Sequence, residues 1–88
     1  MKILLVDDHL SIRNSLGEFI TEMGHNVIEA ENGITAWKFI DKEAPHIVLS
    51  DIRMPQMDGF ALLKKIKQNV RTKNIPVVLF TGHGDIKD

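Results

Sequence analysis

The chain has 88 residues and a formal net charge of −1, from 11 Lys+Arg against 12 Asp+Glu. That length holds one domain with one core, and the near balance of charge excludes a nucleic-acid binder driven by bulk basic charge. There is no cysteine and no wholly apolar run longer than four residues, which excludes a disulfide framework, a thiolate metal site and a membrane-spanning helix.

Lys2–Val6 is a short apolar run rich in β-formers, stopped by Asp7 and Asp8, and reads as a buried strand. Two acids so early are also incompatible with a secretory signal peptide, so a cytoplasmic setting is expected. From Leu10 to Met23, the residues Ile12, Leu16, Phe19, Ile20 and Met23 recur at helical spacing and predict an inward face. Arg13, Asn14, Glu18 and Glu22 fall on the opposite, polar face. Gly24 follows the last periodic residue, where a left-handed helix end is easiest for glycine.

Asn26–Ala30 predicts a second strand, and Asn32-Gly33 a turn. A second helix is expected from Ile34 to Lys42, burying Ile34, Trp37 and Ile40, with Pro45 closing it from outside. His46–Ser50 contains Ile47-Val48-Leu49, a continuous apolar run expected to be buried on both faces, and Asp51 ends it. Arg53–Gly59 is a loop. Phe60 to about Val70 is a third helix, with Leu62, Leu63 and Ile66 inward. Pro76–Phe80 is a fourth strand, Thr81-Gly82-His83-Gly84 a flexible loop, and residues 85–88 the opening of a fourth helix.

The strands start near residues 2, 26, 46 and 76, intervals that suit parallel strands joined by short crossover helices. Right-handed crossovers then build an α/β fold, an open twisted parallel sheet with helices on both faces. Charge is divided along the chain: residues 1–44 hold 4 basic and 8 acidic side chains, residues 45–88 hold 7 and 4. Lys64, Lys65, Lys67, Arg71 and Lys73 carry much of the positive excess. They read as a solvated helix face and its exit loop, or as a docking patch for an acidic partner.

In such a sheet, ligands bind beyond the carboxyl ends of the strands. Asp7 and Asp8 stand at that end of the first strand, Asp51 of the third and Thr81 of the fourth. If the first and third strands are neighbours, their carboxylates converge, and like charges so close call for protons or a cation. An all-oxygen set suits a hard divalent ion, Mg²⁺ above all. An Asp carboxylate is itself a nucleophile toward phosphorus. Singly, each Asp is as well explained as a turn or cap residue.

Three stretches resemble the receiver domain of two-component response regulators. Ile3-Leu4-Leu5-Val6-Asp7-Asp8-His9 is similar to its opening. Leu49-Ser50-Asp51-Ile52-Arg53-Met54-Pro55-Gln56-Met57-Asp58-Gly59 is similar to its phosphoacceptor strand and following loop. Val77-Val78-Leu79-Phe80-Thr81-Gly82-His83-Gly84-Asp85 is similar to its fourth strand and switch loop. The likeness runs the length of the chain, and the D-x-x-M-P-x-M-D-G block is its most specific part.

The resemblance implies a flavodoxin-like topology with strand order 2-1-3-4-5. It implies that Asp51 accepts a phosphoryl group from a sensor histidine kinase or phosphotransfer protein. Asp8 would ligate Mg²⁺ directly, Asp7 directly or through water, and Arg53 through its backbone carbonyl. Thr81 would bond a phosphoryl oxygen and couple it to loop movement. Pro55 and Gly59 would shape the neighbouring loop. The Arg53 side chain falls where the family varies. Such a domain is a regulatory acceptor, with only its own phosphorylation and dephosphorylation chemistry. Neither nucleic acid nor membrane is expected as a direct partner.

A full receiver continues into a fifth strand with a phosphoryl-contacting Lys and an aromatic switch residue, flanked by fourth and fifth helices. On this reading residues 1–88 form a single incomplete receiver. Its fourth strand would be an exposed edge able to pair with another copy. An assembly module without phosphotransfer is therefore the alternative function. A phosphatase is disfavoured because Asp51-Ile52-Arg53-Met54-Pro55 lacks the second acid of a D-x-D motif. The histidines His9, His25, His46 and His83 share no metal-ligand spacing, and His9 caps or flanks the cleft. Gly82-His83-Gly84 lacks the third glycine of a dinucleotide loop. Ser50 has no recognisable paired base, and Trp37, Met54 and Met57 read chiefly as packing.

Overall fold

A computed structural model describes residues 1–80 of the protein. Thr81, the loop through Gly84 and the helix start expected at 85–88 lie outside the described residues. The elements run β1 (Lys2–Val6), α1 (Leu10–Glu22), β2 (Asn26–Ala30), α2 (Gly33–Glu43), β3 (Ile47–Asp51), α3 (Gly59–Gln68) and β4 (Val77–Phe80). The strands form one parallel sheet in the order β2-β1-β3-β4, the open α/β arrangement that the alternation of strand and helix predicts.

Local chemistry sets the boundaries. At the end of α1, the Gly24 N–H bonds to the Thr21 carbonyl (2.9 Å) and the His25 N–H to that of Ile20 (3.4 Å), with Gly24 at φ +96°. This paired closure needs a residue that tolerates left-handed φ, as the sequence anticipates. Asn32 and Asp58 cap α2 and α3, accepting the Thr35 and Ala61 N–H groups at 2.8 Å each. Pro76 precedes β4 rather than opening it. It has no N–H to donate, yet its carbonyl accepts the Val48 N–H at 3.0 Å.

The main core lies between the sheet and the pair α2/α3. Leu4, Val6, Ala30, Val48, Ala36, Ile40, Leu62 and Ile66 are buried there together with Met54. Trp37, Phe39, Met57, Ile75 and Val77 pack against that cluster, so the packing reading of Trp37, Met54 and Met57 holds. Side chains alternate along a strand, so Ile3, Leu5, Asp7, Leu49, Asp51, Val78 and Phe80 lie on the other face. That face carries α1.

Three helix readings need correction. On α1, Gly17 and Ile20 are buried, whereas Phe19 and Met23 are about 60% exposed. A Cβ at Gly17 would meet only the movable tip of Glu29, 2.9 Å from Oε2, with its next neighbours at 3.7 Å and beyond. The contact stripe runs through Gly17 and Ile20, with Ile12, Arg13 and Leu16 half-buried beside them. On α2, Ile34 is exposed while Ala36 and Ile40 are buried and Trp37 is half-buried. The α3 helix stops at Gln68, because turns at 69–74 follow and the Thr72 hydroxyl donates to the Ile66 carbonyl at 2.7 Å. On β3, Ile47 and Leu49 are only half-buried, so burial on both faces is incomplete.

The basic cluster is largely engaged within the molecule. Lys65 Nζ lies 5.0 Å from the centre of the Trp37 ring, Lys67 Nζ donates to the carbonyls of Lys73 and Ile75, and Arg71 pairs with Asp41 at 3.0 Å. These contacts favour the solvated-face reading over a docking patch.

The corrected packing predicts a contrast. Leu62→Ala empties a fully buried position and should cost about 2–5 kcal/mol in urea denaturation. Phe19→Ala, despite removing a larger apolar group, should stay within about 0.5 kcal/mol. Equal losses would restore Phe19 to the core.

Candidate functional site

The carboxyl ends of β1 and β3 deliver the site. The two strands are adjacent and parallel, with Val6 level with Ser50. One residue further along, Asp7 and Asp51 therefore come level on neighbouring strands, on the face that carries α1. Both are fully buried. Asp8 follows with its side chain 28% exposed, at the rim of the same cleft. One ligand atom from each of Asp7, Asp8, His9 and Asp51 can be chosen so that all lie within 4.8 Å of one another.

The backbone around Asp7 is fixed on every side. Its N–H bonds to the Ala30 carbonyl (3.1 Å), its own carbonyl accepts Arg13 Nη1 (2.8 Å), and its Oδ1 accepts the His9 N–H (2.8 Å). Arg13 is held in turn by Glu29, with Nε 3.3 Å from Oε1. Asp7 Oδ2, by contrast, is buried with no hydrogen-bond partner among the described residues. A buried carboxylate oxygen left in this way is costly unless something binds it.

Asp51 is positioned by the loop that follows it. Its Oδ1 accepts the Arg53 N–H over a long 3.4 Å, while the Arg53 side chain points to solvent. The Ile52 N–H bonds to the Phe80 carbonyl (2.9 Å), and the Gly59 N–H returns to the Ile52 carbonyl (2.8 Å). That return brings α3 against the strand end: a Cβ on Gly59 would stand 2.5 Å from the Asp51 carbonyl oxygen and 2.9 Å from Ile52 Cα. Backbone cannot move aside like a flexible side chain, so this position requires glycine. Ser50, beside Asp51, spends its hydroxyl on the Asp51 carbonyl at 2.9 Å.

Of the residues singled out from the sequence, the structure brings Asp7, Asp8 and Asp51 together and leaves Arg53 at the margin. Thr81 lies outside the described residues. Arg13 is a neighbour that the apolar periodicity leaves out, since it assigns the residue to the outer face of α1, whereas its guanidinium turns onto the Asp7 carbonyl. His9, expected to cap or flank the cleft, stands at it with its ring beside Asp7 and Asp8. The donor set, with its orphaned buried Oδ2, fits a hard divalent cation that keeps part of its water.

Comparison with known proteins agrees with this geometry. The family model described as "response regulator receiver domain" matches residues 3–88. Sporulation initiation phosphotransferase F of Bacillus subtilis is 40% identical over 85 residues, covering 97% of this chain and 67% of the relative. Chemotaxis protein CheY1 of Helicobacter pylori is 36% identical over 86 residues, covering 96% and 69%. Response regulator Rre1 of Synechocystis is 36% identical over 85 residues, and the chain spans only 37% of its length. The signal receiver domain of a signal transduction histidine kinase from Syntrophus aciditrophicus superimposes with a TM-score of 0.88 at 33% identity, over 97% of this chain and 64% of that one.

Like charges gathered around a buried carboxylate predict a stability effect that depends on cation. In EDTA, Asp7→Asn keeps the shape and removes one charge, and should raise stability by roughly 1–2 kcal/mol. Excess Mg²⁺ should shrink or reverse that gain, because ligand binding stabilises the wild-type fold. Urea denaturation under both conditions checks it; a destabilised variant in EDTA would refute the repulsion argument.

Proposed function

Since the chain belongs to the response regulator receiver domain family, we propose that it is the phosphoacceptor module of a two-component relay, with Asp51 as the acceptor. One observation carries the proposal: the fully buried Asp51 at the carboxyl end of β3 shares a cleft with Asp7 and Asp8 from β1. The donor is a phosphohistidine on a sensor histidine kinase or phosphotransfer protein, which sets the reaction in the cytoplasm, where kinases draw on ATP.

The chemistry is a displacement at phosphorus. A carboxylate oxygen of Asp51 forms a bond to phosphorus as the phosphorus–nitrogen bond of the donor breaks, and the electron pair leaves with the imidazole. The product is an acyl phosphate, later hydrolysed by water to regenerate the carboxylate and release inorganic phosphate. When bound, Mg²⁺ supplies charge neutralisation between the carboxylates and the incoming phosphoryl oxygens.

The chain's own residues do the rest. Asp8, and Asp7 directly or through water, hold the cation, with the Arg53 carbonyl as a further ligand. The loop closed by Gly59 and capped by Asp58 keeps Asp51 aimed. Burial of Asp51 limits access of water to the acyl phosphate. Thr81 is assigned the hydrogen bond to a phosphoryl oxygen and the coupling to loop movement.

An assembly role through the outer edge of β4 is the rival reading; Val78, 47% exposed, is the observation in its favour. It needs no phosphate. Acetyl phosphate with Mg²⁺ should add one acid-stable, base-labile phosphoryl group, read by intact mass, and Asp51→Asn should lose most of it. Label on a histidine or serine would refute the acceptor assignment, and no label at all would favour the assembly role. Asp8→Asn should weaken Mg²⁺ binding by about tenfold or more in direct titration; unchanged binding would remove Asp8 from the ligand set.

A further inference from the structure

The phosphoacceptor reading makes no use of the His9 ring, yet the ring sits inside the acidic cleft. Its Nδ1 stands 3.1 Å from Asp8 Oδ1 and 3.4 Å from Asp7 Oδ1. The residue's backbone is fixed at both ends. The His9 N–H donates to Asp7 Oδ1 (2.8 Å), and the carbonyl accepts the first bond of α1 from Arg13 (3.0 Å). The ring holds the position that precedes α1 but makes no capping bond to it.

Two ligand atoms at right angles around an ion, each about 2.1 Å from it, lie about 3.0 Å apart. The His9 nitrogen and the Asp8 oxygen already have that spacing. A second observation points to a cation: Asp7, fully buried in the same cluster, keeps an oxygen with no hydrogen-bond partner among the described residues.

We propose that His9 Nδ1 is a ligand in this cleft, making it a mixed nitrogen–oxygen site that takes late first-row divalent ions such as Ni²⁺ in preference to Mg²⁺. Three carboxylates alone favour hard ions with oxygen ligands, and a hard ion gains little from imidazole. One imidazole changes the order, because affinity at mixed nitrogen–oxygen sites rises along the first-row series toward nickel and copper. Occupation by such an ion would compete with Mg²⁺ for the position beside Asp51. The inference rests on the reading of this cleft as a cation site, and its test separates the two.

The test is calorimetric titration of the full chain with NiCl₂ and, separately, MgCl₂. The proteins compared are wild type, His9→Gln, Asp8→Asn and a His25→Gln control. His9→Gln should lower nickel affinity about tenfold or more while leaving magnesium affinity within about twofold. Asp8→Asn should lower both, and the control should match wild type. Retained magnesium binding by His9→Gln also shows that the variant is folded. Nickel affinity unchanged in His9→Gln, or equal losses for both ions, overturns the assignment of His9. Nickel affinity lost in the control instead places that ion elsewhere and overturns it too. Magnesium affinity unchanged in Asp8→Asn tells against the cation cleft itself, independently of His9.

Discussion

The parallel pairing of β1 with β3 is the constraint on which the cleft depends. Asp7 and Asp51 are 44 residues apart in the chain and meet because each stands at the carboxyl end of its strand. The register is secured from the far end as well. The His46 N–H bonds to the Lys2 carbonyl (2.8 Å), and the Lys2 N–H donates to His46 Nδ1 (2.9 Å). A one-residue slip would carry Asp51 to the opposite face, into the apolar layer shared with α2 and α3. The strand registry is thus also the registry of the carboxylates.

Two contacts hold the flanks of that arrangement. On one side, Arg13 of α1 reaches the Asp7 carbonyl while leaning on Glu29. On the other, Gly59 brings α3 onto the end of β3, so that the loop after Asp51 is short and closed. There a side chain is absent where backbone must come near.

The cleft carries a stability cost. Burying Asp7 and Asp51, with Asp7 Oδ2 lacking a hydrogen-bond partner among the described residues, is unfavourable for the free fold. The apolar layer between the sheet and α2/α3 supplies the compensating burial. On the proposed reading, a cation and a phosphoryl group would each change the balance of charge around Asp51, and that sensitivity would let a single modification be read elsewhere.

Much of this was legible in the sequence. The Lys2–Val6 and Asn26–Ala30 strands, the Gly24 helix end and the alternation of strand and helix follow from local chemistry. So do the positions of Asp7, Asp8 and Asp51 at strand ends, since a polar residue after an apolar run marks where the strand leaves the core. The D-x-x-M-P-x-M-D-G block then pointed to the family. The order of the strands came with the family resemblance and not from local chemistry, and the structure has it as expected among the described residues; what only the tertiary structure decided was which arc of each helix is buried and what stands beside the carboxylates. Strand order lies in long-range pairing and is invisible to a local period. The buried arc of α1 includes Gly17, which carries no hydropathy signal, and the inward turn of Arg13 is set by the Asp7 carbonyl, a partner outside its own helix. His9 shares no spacing with another histidine; its neighbours are carboxylates, one of them brought from the third strand by the fold.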